Sequence, residues 1–179
     1  MTEPQPTFLT LTLKTIVAHT ITYFLVGLAA LTVFNYTALF AQPAVASYMR
    51  QTSDPLVALG PALQPIRGIL FALVFYPLRT ILFGRPRGWL IIWLMLASLG
   101  IFSTFAAAPG SVEGAIYTTI PLRDQFSGGL VEVLTQSFLL SALLYYWVRH
   151  PERRWLSWVL GVAFVLVVLM SLMGFWAAQ

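Results

Sequence analysis

Three carboxylates lie close together in an otherwise apolar stretch of this 179-residue chain. Glu113, Asp124 and Glu132 fall within residues 105–134 and make up half of its six acidic residues. Grouped carboxylates can serve acid–base chemistry or hold a divalent cation. Their spacing matches no DxD, HExxH or paired-carboxylate motif. We therefore predict no metal site here and favour a non-catalytic role over catalysis on a lipid.

Two charged residues are predicted to enter the membrane with their helices. Arg67, in "QPIRG", follows Gln64 by one helical turn, and Glu132 precedes Gln136 by one turn. An ionised group at the bilayer centre costs about 2.5–3.5 kcal/mol, so a partner is expected. We expect Arg67 to pair with Glu132 or Glu113. The pair is interpreted either as part of a polar ligand or ion pocket, or as a salt bridge that pins loops to helices.

The connecting segment 109–127 carries further polar side chains. In "PGSVEG", Ser111 can cap a helical turn whose positive end suits Glu113. Free amides there could hold an anion, although no P-loop follows. Together with the two helix entries, this segment predicts a polar cluster on the outer side. Its members are Gln64, Arg67, Glu113, Tyr117, Arg123, Asp124, Glu132 and Gln136.

His19 is the only histidine inside a predicted span, and Tyr23 lies one turn further along. An intramembrane ionisable residue is a functional candidate, and the alternative is a neutral histidine bonded to a neighbouring helix. We place His19 towards the inner side of the membrane. His150 lies at an opposite edge, which disfavours bis-histidine haem and leaves only a His19 ligand open. Lys14, the one lysine, is predicted near the interface, which excludes retinal. We predict no cofactor.

The elements that position these residues follow from composition. The chain is 59% hydrophobic and 9% charged, with a mean hydropathy of +0.82. Soluble domains carry about 25% charged residues, so the solvent of this chain is lipid. The absence of cysteine excludes disulfides, thiolate metal sites and cysteine nucleophiles. No basic patch alternates with aromatics, and we predict no nucleic-acid partner.

We predict an all-α integral membrane protein with a single domain over residues 1–179. A bilayer crossing needs about 20 apolar residues, and five segments qualify as spans. They are 15–40, 66–82, 89–108, 128–148 and 156–177.

Prolines and capping residues in and between the spans predict where helices begin and end. Prolines between the first two spans predict short interfacial helices on the outer side. One of these should begin at "TSDP", where Ser53 or Asp54 caps and Pro55 occupies the first turn. Pro77 should end the second span. Small residues in the third span predict that it lies at the bundle centre.

Cations predict the orientation. In a five-span arrangement, seven of the ten cations fall on one side, which we take as cytoplasmic. The N-terminus is then inside and the C-terminus outside, in a membrane that we expect to be the bacterial cytoplasmic membrane. The inner rim of arginines could also attract anionic lipid.

Three functions are compatible with these residues. The first is a non-catalytic ligand-binding or accessory subunit with a polar outer-leaflet site, formed by residues 53–67 and 109–136. The second is a transporter or channel component, and the third is a membrane-embedded enzyme that acts on a lipid or other amphiphile through outer carboxylates. A partner membrane subunit or a homo-oligomer is compatible with the first.

Overall fold

Helices form most of the chain. The computed structural model describes residues 5–179, apart from the side chain of Ala44, and 76% of it is helix without strands among the described residues. The helices are α1 Phe8–Val33, α2 Tyr36–Phe40, α3 Pro43–Ala46, α4 Pro55–Phe75, α5 Arg79–Gly84, α6 Gly88–Ala97, a π-helix Ser98–Phe102, α7 Val112–Tyr117, α8 Leu122–Gln125, α9 Gly128–Arg149 and α10 Arg154–Ala177.

Four helical stretches are long and apolar enough to cross a membrane: Phe8–Val33, Pro55–Phe75, Leu122–Arg149 and Arg154–Ala177. Large apolar side chains such as Leu70, Val165 and Met173 are exposed along α4 and α10. Such outward-facing apolar surfaces are typical of helices in lipid. The prediction of an all-helical protein is confirmed, and the helices are compatible with an integral membrane protein.

The third predicted span is shorter than expected. It consists of ten residues of α-helix and five of π-helix, and the helix ends at Phe102 rather than near Ala108. At 1.5 Å per residue it is roughly 22 Å long, below the hydrocarbon thickness of about 30 Å. Nor is this helix central, because α1 is the helix that contacts α4, α9 and α10.

The first span begins earlier than predicted and ends earlier. Thr7 caps α1, accepting a hydrogen bond from the Thr10 amide at 3.2 Å. Asn35 ends the run, since its backbone is left-handed (φ 47°) and its side chain caps α2. Asparagine adopts this conformation more readily than most residues. α1 is therefore Phe8–Val33 rather than 15–40.

The predicted cap at Asp54 is confirmed, but it opens the second long helix instead of an interfacial one. The carboxylate accepts from the Leu56 amide at 2.8 Å, with Pro55 in the first turn. Hydrogen bonds from Arg50 and this amide hold the pKa of Asp54 below its ordinary value, which keeps the cap ionised. α4 ends at Phe75, as Pro77 predicted.

α4 continues through Pro61 and Pro65, two of the prolines that predicted short interfacial helices here. The Ser171 hydroxyl of α10 donates to the Ala58 carbonyl at 2.6 Å and accepts from the Ala62 amide at 3.2 Å. Neighbouring helices can satisfy backbone groups around an intramembrane proline in this way. α10 thus supports α4 at the turn where proline weakens it.

Candidate functional site

A hydrogen-bond network centred on His19 joins three helices. His19 is fully buried on α1, and its Nε2 lies 3.0 Å from Gln64 Oε1 of α4. Its Nδ1 lies 3.0 Å from Gln136 Nε2 of α9. Gln64 also donates through its Nε2 to the Gly60 carbonyl at 3.1 Å, which leaves its oxygen for the imidazole. The tautomer with hydrogen on Nε2 satisfies every one of these contacts.

This geometry matches the interpretation of His19 as a neutral residue bonded to its neighbours. It also corrects the predicted placement, because His19 was assigned to the inner side and both glutamines to the outer cluster. α1 begins at Phe8, so His19 lies about three turns into the helix rather than about one turn, as a start at residue 15 implied. α4 begins at Pro55, which places Gln64 inside the helix. His19 and the two glutamines of the predicted outer cluster therefore form one network.

A cavity of about 220 Å³ lies beside this network, between α1, α4, the π-helix and α9. Part of its wall is polar and contains Tyr23, Arg67, Glu132 and Gln136, all of them predicted site residues. The rest is mainly apolar, with Phe71, Leu96, Ile101, Val133 and Leu140 among its members. An apolar pocket with a few converging polar groups is the usual form of a small-molecule site.

Glu132 has a partner that sequence analysis missed. The Tyr36 hydroxyl of α2 donates a hydrogen bond to Glu132 Oε2. Burial and this carboxylate raise the pKa of Tyr36, so the phenol keeps its proton and remains the donor. The other oxygen, Oε1, lies near Gly27 of α1, where an added Cβ would be 3.5 Å away.

The expected ion pair between Arg67 and Glu132 or Glu113 is wrong. Among residues 5–179, the ion pairs within 4.0 Å are Arg50–Asp54 and Arg123–Asp124. The Arg67 guanidinium lies instead 5.6 Å from the centre of the Phe71 ring, one turn along α4. Both charges occupy the cavity wall, but each is held by an aromatic neighbour rather than by the other charge.

The predicted residues of the 109–127 segment lie away from the cavity wall. Glu113 and Tyr117 are on α7, and Tyr117 is 73% exposed. Arg123 and Asp124 are on α8 and form a 3.5 Å pair at the surface. The predicted cluster therefore divides into a cavity set and a surface set.

Local capping in this segment follows the prediction. Ser111 Oγ accepts from the Gly114 amide at 2.9 Å, and Glu113 lies in the first turn of α7. Gln125 is buried and donates to the Ile120 carbonyl at 2.8 Å. Its role is to hold the segment closed on itself.

Among the residues that the structure describes, no group of three or more His, Cys, Asp or Glu is placed to hold a metal ion. Comparisons with protein-family models, curated proteins and solved structures gave no match. The cavity and its charges are the features that bear on function.

Proposed function

We propose that this protein is a multi-pass membrane protein that binds a small polar or amphiphilic ligand in the cavity between α1, α4, the π-helix and α9. The observation that carries the proposal is a cavity whose wall has opposite charges, at Arg67 and Glu132, that do not pair. Unpaired charges in a partly apolar site cost free energy that a bound ligand can offset. The role is that of a binding protein or accessory subunit rather than an enzyme.

The π-helix supports the same proposal. Gly100 and Ile101 of this element line the cavity, and a Cβ added at Gly100 would meet no atom within 4 Å. π-helical segments are rare and occur frequently at functional sites. Here the element shapes one wall and leaves space beside Gly100.

Filling that space tests the proposal. We expect Gly100→Leu to lose bound small molecules that the wild-type protein retains when it is extracted from membranes in a neutral detergent. Native mass spectrometry measures the retained mass. Gly161→Leu is the matched control, because Gly161 on α10 also has open space around its Cα but lies off the cavity wall.

The proposal would be contradicted by equal bound mass on wild type and Gly100→Leu. It would also be contradicted by an absence of any bound molecule on wild type after reconstitution into nanodiscs of total membrane lipid. Thermal melting of the variants checks that each remains folded.

The proposed topology has five spans, with the Gly88–Phe102 helix as the short fifth and the N-terminus in the cytoplasm. Asymmetry of the cations supports this orientation. Because the chain has no cysteine, single cysteines report position cleanly. In intact cells, an impermeant maleimide should label both Ser47→Cys and Gln179→Cys. Labelling of Ser47→Cys alone would indicate four spans. Labelling of neither cysteine would indicate five spans in the opposite orientation.

A further inference from the structure

We infer that the ligand of this cavity is a zwitterion, a molecule that carries an ammonium group and an anionic phosphate or carboxylate. The inference rests on the proposed function, because it names the class of ligand that the same cavity would take. It follows from the hydrogen-bonding capacity that each wall residue has left after its contacts within the protein.

Arg67 offers the anion-binding side. Its guanidinium has five N–H donors, and among the described residues it makes no ion pair and no hydrogen bond. Its contact is with the Phe71 ring. A guanidinium beside an aromatic ring keeps its donors for a carboxylate or a phosphate, which it binds through two parallel hydrogen bonds.

Glu132 and Gln136 offer the cation-binding side. Tyr36 occupies Glu132 Oε2, and Oε1 accepts no hydrogen bond from the described residues. The amide nitrogen of Gln136 is committed to His19 at 3.0 Å and to Thr22 at 3.4 Å, so its Oε1 is the group that remains. Two oxygens that only accept require a donor, and an ammonium group supplies three.

Both oxygens are open to the cavity. Among the described residues, the buried side-chain polar atoms that lack a partner are Thr20 Oγ1 and Gln125 Oε1. Oε1 of Glu132 and Oε1 of Gln136 are not among these buried atoms, although neither accepts a hydrogen bond from the described residues. They are therefore accessible to a molecule in the cavity whose wall they line.

The separation of the charges is what favours a zwitterion over a simple ion. The Tyr36 bond holds the Glu132 carboxylate, and the Phe71 ring holds the Arg67 guanidinium, so the two do not meet. A lone anion at Arg67 would leave Glu132 without a counter-charge, and a lone cation at Glu132 would leave Arg67 without one. A ligand with both charges neutralises both residues at once.

Tyr23 fits the same ligand. It lines the cavity together with Glu132 and Arg67. Its hydroxyl makes no hydrogen bond with the described residues, and a phenol can donate to an anion or accept from an ammonium group.

The volume of the cavity limits the size of the ligand group that it can enclose. At about 220 Å³ the cavity is below the range of about 300–1,000 Å³ that encloses drug-sized ligands. It suits a compact charged group with a few methylenes against Phe71 and Leu96. Two sources share this chemistry: the head group of a zwitterionic phospholipid, with its chains outside the cavity, and a small free zwitterion.

Binding measurements on the full-length protein in neutral detergent micelles test the inference with four probes. Dihexanoyl phosphatidylethanolamine and free phosphoethanolamine are the zwitterions. Dihexanoyl phosphatidylglycerol carries only the anion, and hexylamine carries only the cation. We expect at least one zwitterion to bind about tenfold or more tightly than the single-charge probes, the ratio expected for one charge-assisted hydrogen bond.

Two variants assign the charges. Arg67→Met and Glu132→Gln should each weaken binding of the zwitterion by about tenfold or more. Arg123→Met and Asp124→Asn are matched controls, because they change the same residue types, or the shorter acid, at the surface pair of α8. These controls should bind as the wild type does.

The outcomes separate this inference from the proposed function. Equal binding of phosphatidylglycerol and phosphatidylethanolamine by wild type, or full zwitterion binding by Glu132→Gln, overturns the inference. If the inference is overturned but Gly100→Leu still abolishes binding of the probes that wild type binds, the cavity remains a ligand site and only the ligand class is wrong. Binding of the lipid alone identifies a lipid head group, and binding of phosphoethanolamine identifies a free zwitterion. The comparison of the four probes uses only the wild-type protein, so it tests the inference even if a variant fails to fold.

Discussion

Replacing His19 with alanine should destabilise the folded protein by about 2–4 kcal/mol. The change removes hydrogen bonds to Gln64 and Gln136, which are worth about 0.6–2 kcal/mol each in a membrane, and leaves a cavity at a fully buried position. The three helices that meet at the imidazole lose their shared contact. Thermal melting or titration with a denaturing detergent in mixed micelles measures the loss.

The neighbouring residue supplies the control for this prediction. Thr20 is also fully buried on α1, but its hydroxyl has no partner among the described residues. Thr20→Val keeps the shape and removes an unsatisfied polar group, so stability should be unchanged or slightly higher. A His19→Ala protein as stable as Thr20→Val would show that the network adds no stability.

Replacing Gly68 with alanine should destabilise the protein by about 1–3 kcal/mol, the range for overpacking. A Cβ at this position would lie 2.6 Å from Ile16 Cα, which is backbone of α1 and cannot rotate away. The helices α1 and α4 must then move apart, although alanine is itself the better helix former. The same unfolding measurement reports the change.

Gly161→Ala is the counterpart on α10. An added Cβ there meets no atom within 4 Å, so only the gain in helix propensity remains. Its stability should equal or exceed that of wild type by up to about 1 kcal/mol. Equal stability of the Gly68→Ala and Gly161→Ala proteins would contradict the close crossing of α1 and α4.

Local features of the fold were predictable because they depend on a few adjacent residues. Asp54 and Ser111 cap the helices that follow them, and Pro77 stops the helix that precedes it. The continuous passage of α4 through Pro61 and Pro65 was not predictable, because the hydroxyl that supports it comes from α10.

The members of the candidate site were easier to predict than their partners. Tyr23, Arg67, Glu132 and Gln136 stood out as polar residues in apolar helices, and all line the cavity. Tyr36 lies 96 positions before Glu132, just beyond the end of α1, and no local pattern links the two. A similar predicted depth on the same side of the membrane pointed to Arg67 instead.

The position of the Gly88–Phe102 helix in the bundle could not be predicted from its small residues alone, because it depends on packing against other helices. Gly100, Ser103 and Thr104 suggested a close helix neighbour, yet the space beside Gly100 is open. The helix changes to a π-helix at Ser98 and ends at Phe102, and Gly100 and Thr104 line a cavity instead of packing against another helix.

The Ser171 contact also bears on the order in which the protein is made. Ser171 comes 113 positions after Ala58, the carbonyl that it supports. During synthesis α4 leaves the ribosome well before α10 does. The hydrogen bonds between Ser171 and its proline-containing turn can therefore form only after α10 has been made. The early turns of the second long helix therefore lack this stabilising hydroxyl until α10 has been synthesised.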